Sequence, residues 1–333
     1  MQRERRLHSR TSCAEQRIAD FMGIGSALRT TAKRLRNAWR DSLRIADRAV
    51  HRLLYRRAPA LLARYRFRTI LKRRLDLKAP SRFDEKLAWL MLYWRHPLKT
   101  VCADKLAVRE YVSSRGFGQL LPAVHSVYRA SGDIDFDSLP KRFVLKCTHG
   151  SRFNVFCLDK AEINVGAVRS QLDAWLARDF SDSCGELHYV GITPRILCEE
   201  YLGEPNGNLP RDYKMSCFHG RVQFTMVCSG RRVNGRAGWF DYYDRDWREK
   251  LPYSKAGLHP ERQVPKPAAY DLMRAAAESL SKPFPFVRVD FYCVNDRPYF
   301  GEMTFTPSGC ADKGYADAIQ ALGALITLPA PYP

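Results

Sequence analysis

The chain has 333 residues, 45% hydrophobic and 27% charged, enough for two or three compact lobes and too well supplied with apolar residues for wholesale disorder. Its formal charge of +20 suggests a polyanion binder until it is divided along the chain. Residues 1–75 hold 21 basic and 5 acidic side chains, whereas the remainder holds 34 and 30, so the body is nearly balanced and nucleic acid is disfavoured as its partner.

No apolar run approaches a membrane span, and Met1–Arg6 is not followed by an apolar stretch, so no secretory signal is predicted. Ten cysteines lack C-x-x-C spacing, and eight histidines lack H-x-x-x-H spacing. Cys147, Cys198, Cys217, Cys228 and Cys293 fall inside apolar runs and read as buried thiols, which implies a reducing, cytoplasmic compartment.

The elements follow in chain order. Residues 35–56 predict one helix, with Leu35, Trp39, Leu43, Ala46, Val50 and Leu53 on one side. Arginines recur every fourth residue from Arg36 to Arg56 on the other. Such a helix suits an anionic membrane surface or a polyanionic glycan, or docks on its own body with its arginines in solvent. After Pro59 helices are expected at 60–74, from an N-cap at Ser81 with Glu85 as reciprocal cap to about Tyr93, and at about 103–115. Strands follow at 143–147 and 153–158, joined by His149-Gly150-Ser151, and then a helix at 164–179. Further strands are expected at 195–201, 212–218 and 221–228, a helix at 268–281, and strands at 286–294 and 298–305. This is an α+β body built on antiparallel hairpins.

The most informative stretch is Phe286–Phe305. Val287, Val289, Phe291 and Cys293 share one face, while Arg288 and Asp290 lie on the other. A three-residue turn at Asn295-Asp296-Arg297 would set Asp290 opposite Glu302 and Arg288 opposite Thr304, whereas a two-residue turn would put Glu302 on the wrong face. Two carboxylates held face to face repel unless a cation lies between them, and Mg²⁺ with nucleotide phosphates is the natural answer. Arg288 beside them suits a phosphoryl group. An ordinary polar hairpin is the alternative. Lys146, in an apolar strand ahead of the Gly/Ser loop, suits a phosphate too, or is a strand-edge lysine.

The ordered phrases Phe83-Asp-Glu-Lys-Leu-Ala-Trp-Leu90, Cys102-Ala-Asp-Lys-Leu-Ala-Val-Arg-Glu-Tyr111, Phe143-Val-Leu-Lys-Cys-Thr-His-Gly-Ser151, Asp212-Tyr-Lys214, Pro285-Phe-Val-Arg-Val-Asp290 and Tyr299-Phe-Gly-Glu-Met-Thr-Phe-Thr-Pro307 run through about residues 60–310. In them the chain resembles the ATP-grasp superfamily, and closely its teichuronopeptide-biosynthesis (TupA-like) branch. The resemblance implies an ATP-grasp fold in which two α+β lobes grip ATP, preceded by a helical region. The segments are then a basic segment 1–58, a helical region 59–125 and an ATP-grasp domain 126–333, with lobes of about 126–200 and 201–333. It also implies that Lys105 and Lys146 contact phosphates, that His149, Gly150 and Ser151 form a lid, and that Glu200 and Leu202 form the hinge that reads adenine. Asp290, Glu302 and Thr304 become Mg²⁺ ligands, with Arg288, Lys146 and Lys214 as catalytic side chains. Two positions depart from the pattern: Thr304 stands where the wider superfamily has Asn, and Arg152 where the branch has Gly.

The activity implied is ATP- and Mg²⁺-dependent ligation of a carboxylate, from a uronic acid or amino acid, to an amine, in cell-envelope or exopolysaccharide biosynthesis. The alternatives are a glycosyltransferase of such pathways, or a basic nucleic-acid- or membrane-binding protein on a degenerate ATP-grasp body.

Overall fold

A computed structural model describes residues 49, 53–55, 57–181, 185–233, 238–253, 261–315 and 318–332. The basic helix expected over 35–56 lies almost wholly outside them. The chain divides into units at residues 1–53 and 54–333, and every element below belongs to the second.

Helix α1 (Pro59–Arg66) starts on Pro59, whose missing N–H and fixed φ suit a first turn. It runs into a π-helical turn at Phe67–Leu71, which Lys72 closes in the left-handed region at φ 58°, so the helix expected to 74 ends earlier. Helix α2 (Phe83–Tyr93) is capped one residue later than expected, at Arg82. The Glu85 carboxylate accepts the Ser81 and Arg82 N–H groups, both at 3.3 Å. Of the helix expected over about 103–115 only α4 (Val108–Ser114) forms; α3 (Pro97–Ala103), which was not expected, ends where it was to begin. Asp104 causes the break: its backbone turns extended, at ψ 118°, and its carboxylate accepts the Leu106 N–H at 2.8 Å. Lys105 therefore sits on a joint, where its side chain is free of a helix face.

The first sheet comprises β1 (Val124–Tyr128), β2 (Phe143–Cys147), β3 (Asn154–Cys157) and β4 (Ile196–Glu200) in the order β1-β4-β2-β3, all antiparallel. Helix α5 (Val165–Leu176) packs on it through Leu172, against Phe143, Leu145, Phe153 and Ile196. The second sheet comprises β5 (Arg211–Phe218), β6 (Arg221–Ser229), β7 (Trp239–Asp244), β8 (Phe286–Val294) and β9 (Arg297–Thr304), in the order β7-β6-β5-β8-β9 and again antiparallel. Helix α6 (Tyr270–Ser281) covers one face with Tyr270, Met273, Ala277 and Leu280, all buried. Strands β1 and β7 were not expected. β1 is an exposed edge with no apolar face to betray it, and Trp239-Phe-Asp-Tyr-Tyr-Asp244 carries acids at its third and last positions. A last helix, α7 (Ile319–Ala324), packs on α2.

The apolar residues of the two sheets form separate clusters. The body therefore has two cores, and the space between the sheets is an open cleft lined by both charged and apolar side chains. All eight cysteines of the described residues are free thiols, seven of them buried.

Candidate active site

The β8–β9 hairpin builds one wall. Its turn is shorter than expected: Asn295 and Asp296 take φ 49° and 58°, the two-residue turn that suits strand twist, and Val294 pairs with Arg297. A bulge between Asp290 and Phe291 restores the register by letting Gly301 stand unpaired, so Asp290 still faces Glu302 and Arg288 still faces Thr304. The expected pairing holds; the extra residue lies in the strand instead of the turn.

Asp290 is 1% exposed and fully engaged. Arg288 donates from Nε and Nη2 to its two oxygens, each at 2.7 Å, and from Nη2 to the Thr304 hydroxyl at 3.1 Å. Lys214, opposite Asp290 on β5, donates to Asp290 Oδ2 and pairs with Asp212 Oδ2 at 2.7 Å. Arg231 lies 3.1 Å from the same Asp212 oxygen. Burial alone would raise the Asp290 pKa, but Arg288 and Lys214 outweigh it and hold the carboxyl below its usual range. Burial likewise opposes the charge on Lys214 and Arg288, yet the facing carboxylates raise both. Asp212 moves the other way, raised by its burial.

Sheet one builds the opposite wall. Lys146 projects from β2 and pairs with Glu199 on β4, whose other oxygen takes Arg109 at 3.0 Å. Burial disfavours the Lys146 charge, but Glu199 more than restores it. Lys105 lacks such a partner: its ammonium donates to the Gly150 carbonyl, and burial lowers its pKa. Between the walls lies a cleft of about 150 Å³. Lys105, Lys146, Glu200, Leu202 and Glu302 all line it, with Arg231, Tyr292 and Phe300. Glu200 is anchored just ahead of β1, its carboxylate accepting the Ala123 N–H at 2.8 Å.

Arg288, Asp290, Thr304 and Lys214 form the buried layer beside Glu302 and do not line the cleft directly. His149 turns away from it: its Nε2 bonds to the Trp175 carbonyl at 3.0 Å, and its ring lies 5.7 Å from that of Phe153. Ser151 does not line the cleft either, and Gly150 reaches Lys105 through its carbonyl alone. Arg152 adopts φ 65°, the left-handed conformation that its position in the loop demands.

Sequence reasoning gave no role to Glu199, Asp212 or Tyr292. Asp212 and Tyr292 were within reach, because each shares strand parity with a residue already singled out, Lys214 and Asp290. Glu199 comes to the site through cross-strand geometry that no local pattern reports, and Arg231 from just beyond the end of β6.

The donor set on this wall is two carboxylates and a hydroxyl, all oxygen, which fits a hard cation such as Mg²⁺. Glu302 offers the accessible carboxylate, its side chain 41% exposed. Among the described residues no group of three or more His, Cys, Asp or Glu could hold a metal, so a cation here would rest on two carboxylates, Thr304 and the phosphates themselves.

The TupA-like ATP-grasp family profile matches residues 85–327. Among solved structures, the L-amino acid ligase of Bacillus licheniformis is similar at 16% identity and a TM-score of 0.42, over 69% of this chain and 51% of that one. The D-alanine–D-alanine ligase of Bacillus anthracis, complexed with ATP, is similar at 15% identity and a TM-score of 0.38, over 74% and 66%. The D-cycloserine synthetase DcsG follows at 14% identity and a TM-score of 0.40, over 69% and 70%. The chain thus spans about half to two thirds of the length of the first two. No curated protein matches it significantly.

Proposed function

This chain belongs to the TupA-like ATP-grasp family, an ATP-grasp enzyme, and from that membership we propose that it is an ATP- and Mg²⁺-dependent ligase joining a carboxylate to an amine. The observation that carries the reading is the cleft into which the first sheet sends Lys146, the α3–α4 joint sends Lys105 and the second sheet sends Glu302, backed by Asp290, Arg288 and Lys214. Cations on one side and an oxygen-donor set on the other are what a nucleotide triphosphate and its metal require.

The Glu200-Tyr201-Leu202 backbone would receive the base, and Lys105 and Lys146 the phosphates. Glu302 and Asp290, with Thr304 beside them, would hold Mg²⁺, which when bound neutralises phosphate charge. A substrate carboxylate oxygen attacks the γ-phosphorus, the bond to the β–γ bridging oxygen breaks, and ADP leaves. Arg288 and Lys214 offset charge at the transferring group, so that the chain acts by positioning and electrostatics. The amine then attacks the acyl carbon, inorganic phosphate departs and the nitrogen loses a proton, leaving an amide. Closure of the cleft keeps water from the acyl phosphate.

The substrates we propose are a uronic acid or amino acid carboxylate and an amine acceptor, in a cell-envelope or exopolysaccharide pathway. A cytoplasmic site, where ATP is found, is part of the proposal. No helix among the described residues is long and apolar enough to cross a membrane. Contact of residues 35–56 with a membrane or glycan remains an expectation from sequence. A glycosyltransferase reading finds little support: both sheets are antiparallel among the described residues, and Asp244 closes a turn by accepting the Arg248 and Glu249 N–H groups.

The test is ADP release by the full chain, with Mg²⁺, across panels of amino acids, uronic acids and amines. ADP formation that requires both a carboxylate and an amine supports the reading. Absence of nucleotide binding with any divalent cation would sink it.

A further inference from the structure

Lys99, on α3, is a buried ammonium without a counter-ion. It is 5% exposed, and two of its three donors reach the Leu90 and Trp94 carbonyls, at 3.0 and 3.2 Å. The rings of Trp94 and Phe305 lie 5.6 and 5.8 Å from it. No acidic side chain among the described residues pairs with it. Buried charges are ordinarily paired, so this one is left with its third donor and most of its charge uncompensated.

A small cavity of about 30 Å³ lies beside it, roughly twice what one water needs. Arg95, His96, Thr100 and His188 line it together with Lys99, and no carboxylate does. Arg95 is exposed and His96 half-buried, so they stand at the mouth, with Lys99 and His188 at the floor. His188 is 7% exposed, and its Nδ1 is buried with no hydrogen-bond partner. Burial and the nearby Lys99 keep its imidazole neutral, with one N–H to donate. Two full cations, an unpartnered imidazole and a hydroxyl thus face one space that holds no negative charge.

We propose that this cavity binds one small inorganic anion, of the size of chloride, between the Lys99 ammonium and the Arg95 guanidinium, with His188 and Thr100 as hydrogen-bond donors. The anion supplies the charge that the fold omits and offsets the desolvation of Lys99. The cavity shares no lining residue with the cleft, so the inference does not rest on the ligase reading. Lys99 lies against Phe305, the residue after the last of β9, so the anion also steadies the segment that leaves the Glu302 hairpin.

The experiment is thermal unfolding of the full chain at pH 7, below the Lys99 pKa of about 8, so that the ammonium is charged. Sodium chloride replaces sodium gluconate stepwise at constant ionic strength, gluconate being too large to enter. The midpoint should rise and then saturate, by about 2 °C at ten times the dissociation constant. Lys99→Met should abolish the rise. Arg95→Met, at an exposed position, should raise the chloride concentration for half the effect about threefold, and it keeps the test open if Lys99→Met does not fold. Equal midpoints in the two salts, as a cavity holding water alone would give, overturn the inference. So does a chloride effect that either variant leaves untouched.

Discussion

Gly301 stands as the unpaired residue of a bulge against Asp290, and a Cβ at position 301 would lie 3.0 Å from the Asp290 carbonyl oxygen. The register that sets Asp290 opposite Glu302 therefore depends on a residue with no side chain. We expect Gly301→Ala to push the two strands apart, costing about 1–2 kcal/mol in urea denaturation, as overpacking does. It should also weaken Mg²⁺-dependent nucleotide binding, because Gly301 and Glu302 both line the cleft. Unchanged stability and affinity would show that the bulge tolerates a side chain and does not set the site.

Arg152 supplies the reverse case. It holds φ 65° at an exposed position, where a side chain gains nothing from burial and strains the backbone. Arg152→Gly should raise stability by about 0.5–1 kcal/mol, the usual size of that strain less the extra freedom Gly has when unfolded. Equal or lower stability would mean that the guanidinium contributes to holding the loop.

The carboxylate pairing was legible because strand parity is a local property: Arg288 and Asp290 share a face whatever the turn does. The bulge was not legible, since Gly301 reads equally well as an ordinary strand glycine until its neighbour is known. The loop His149-Gly150-Ser151 was found by its composition, yet composition does not give direction. His149 is buried toward α5 because Phe153 and Trp175 offer it an apolar seat and a carbonyl. Similarly, Asp104-Lys105 read as helical, because the competing cap made by the Asp104 side chain appears only once the chain has turned.

Lys99 predicts a pH dependence remote from the cleft. It is buried, its ammonium donates to the Leu90 and Trp94 carbonyls at 3.0 and 3.2 Å, and burial pushes its pKa down to about 8. In the unfolded chain lysine titrates near 10.4, so between about pH 8 and 10 the unfolded state binds the proton that the native state has released. This group's contribution therefore favours folding more as the pH rises through that window, and the penalty of the buried charge is greatest below it. The difference in stability between wild type and Lys99→Met should change by about 2–3 kcal/mol between pH 7 and 10 in urea titrations. A constant difference would mean that the ammonium keeps its ordinary pKa.

Asp290 and Glu302 face each other but differ in surroundings, so their variants should fail differently. Asp290 is buried under Arg288 and Lys214, and Asp290→Asn leaves both cations short of a partner. Breaking a buried pair in this way costs about 3–5 kcal/mol, so that variant should lose stability as well as ADP formation. Glu302 has a side chain 41% exposed, touched by the Thr304 hydroxyl at 3.3 Å and lying 3.7 Å from Arg288. Glu302→Gln should change stability by no more than about 0.5 kcal/mol, as surface substitutions do, while abolishing Mg²⁺-dependent nucleotide binding. Calorimetric binding of ADP with Mg²⁺, run beside urea denaturation on both variants, separates the two effects. Wild-type binding by Glu302→Gln would remove that carboxylate from the metal set and leave Asp290 with a purely structural pair of cations.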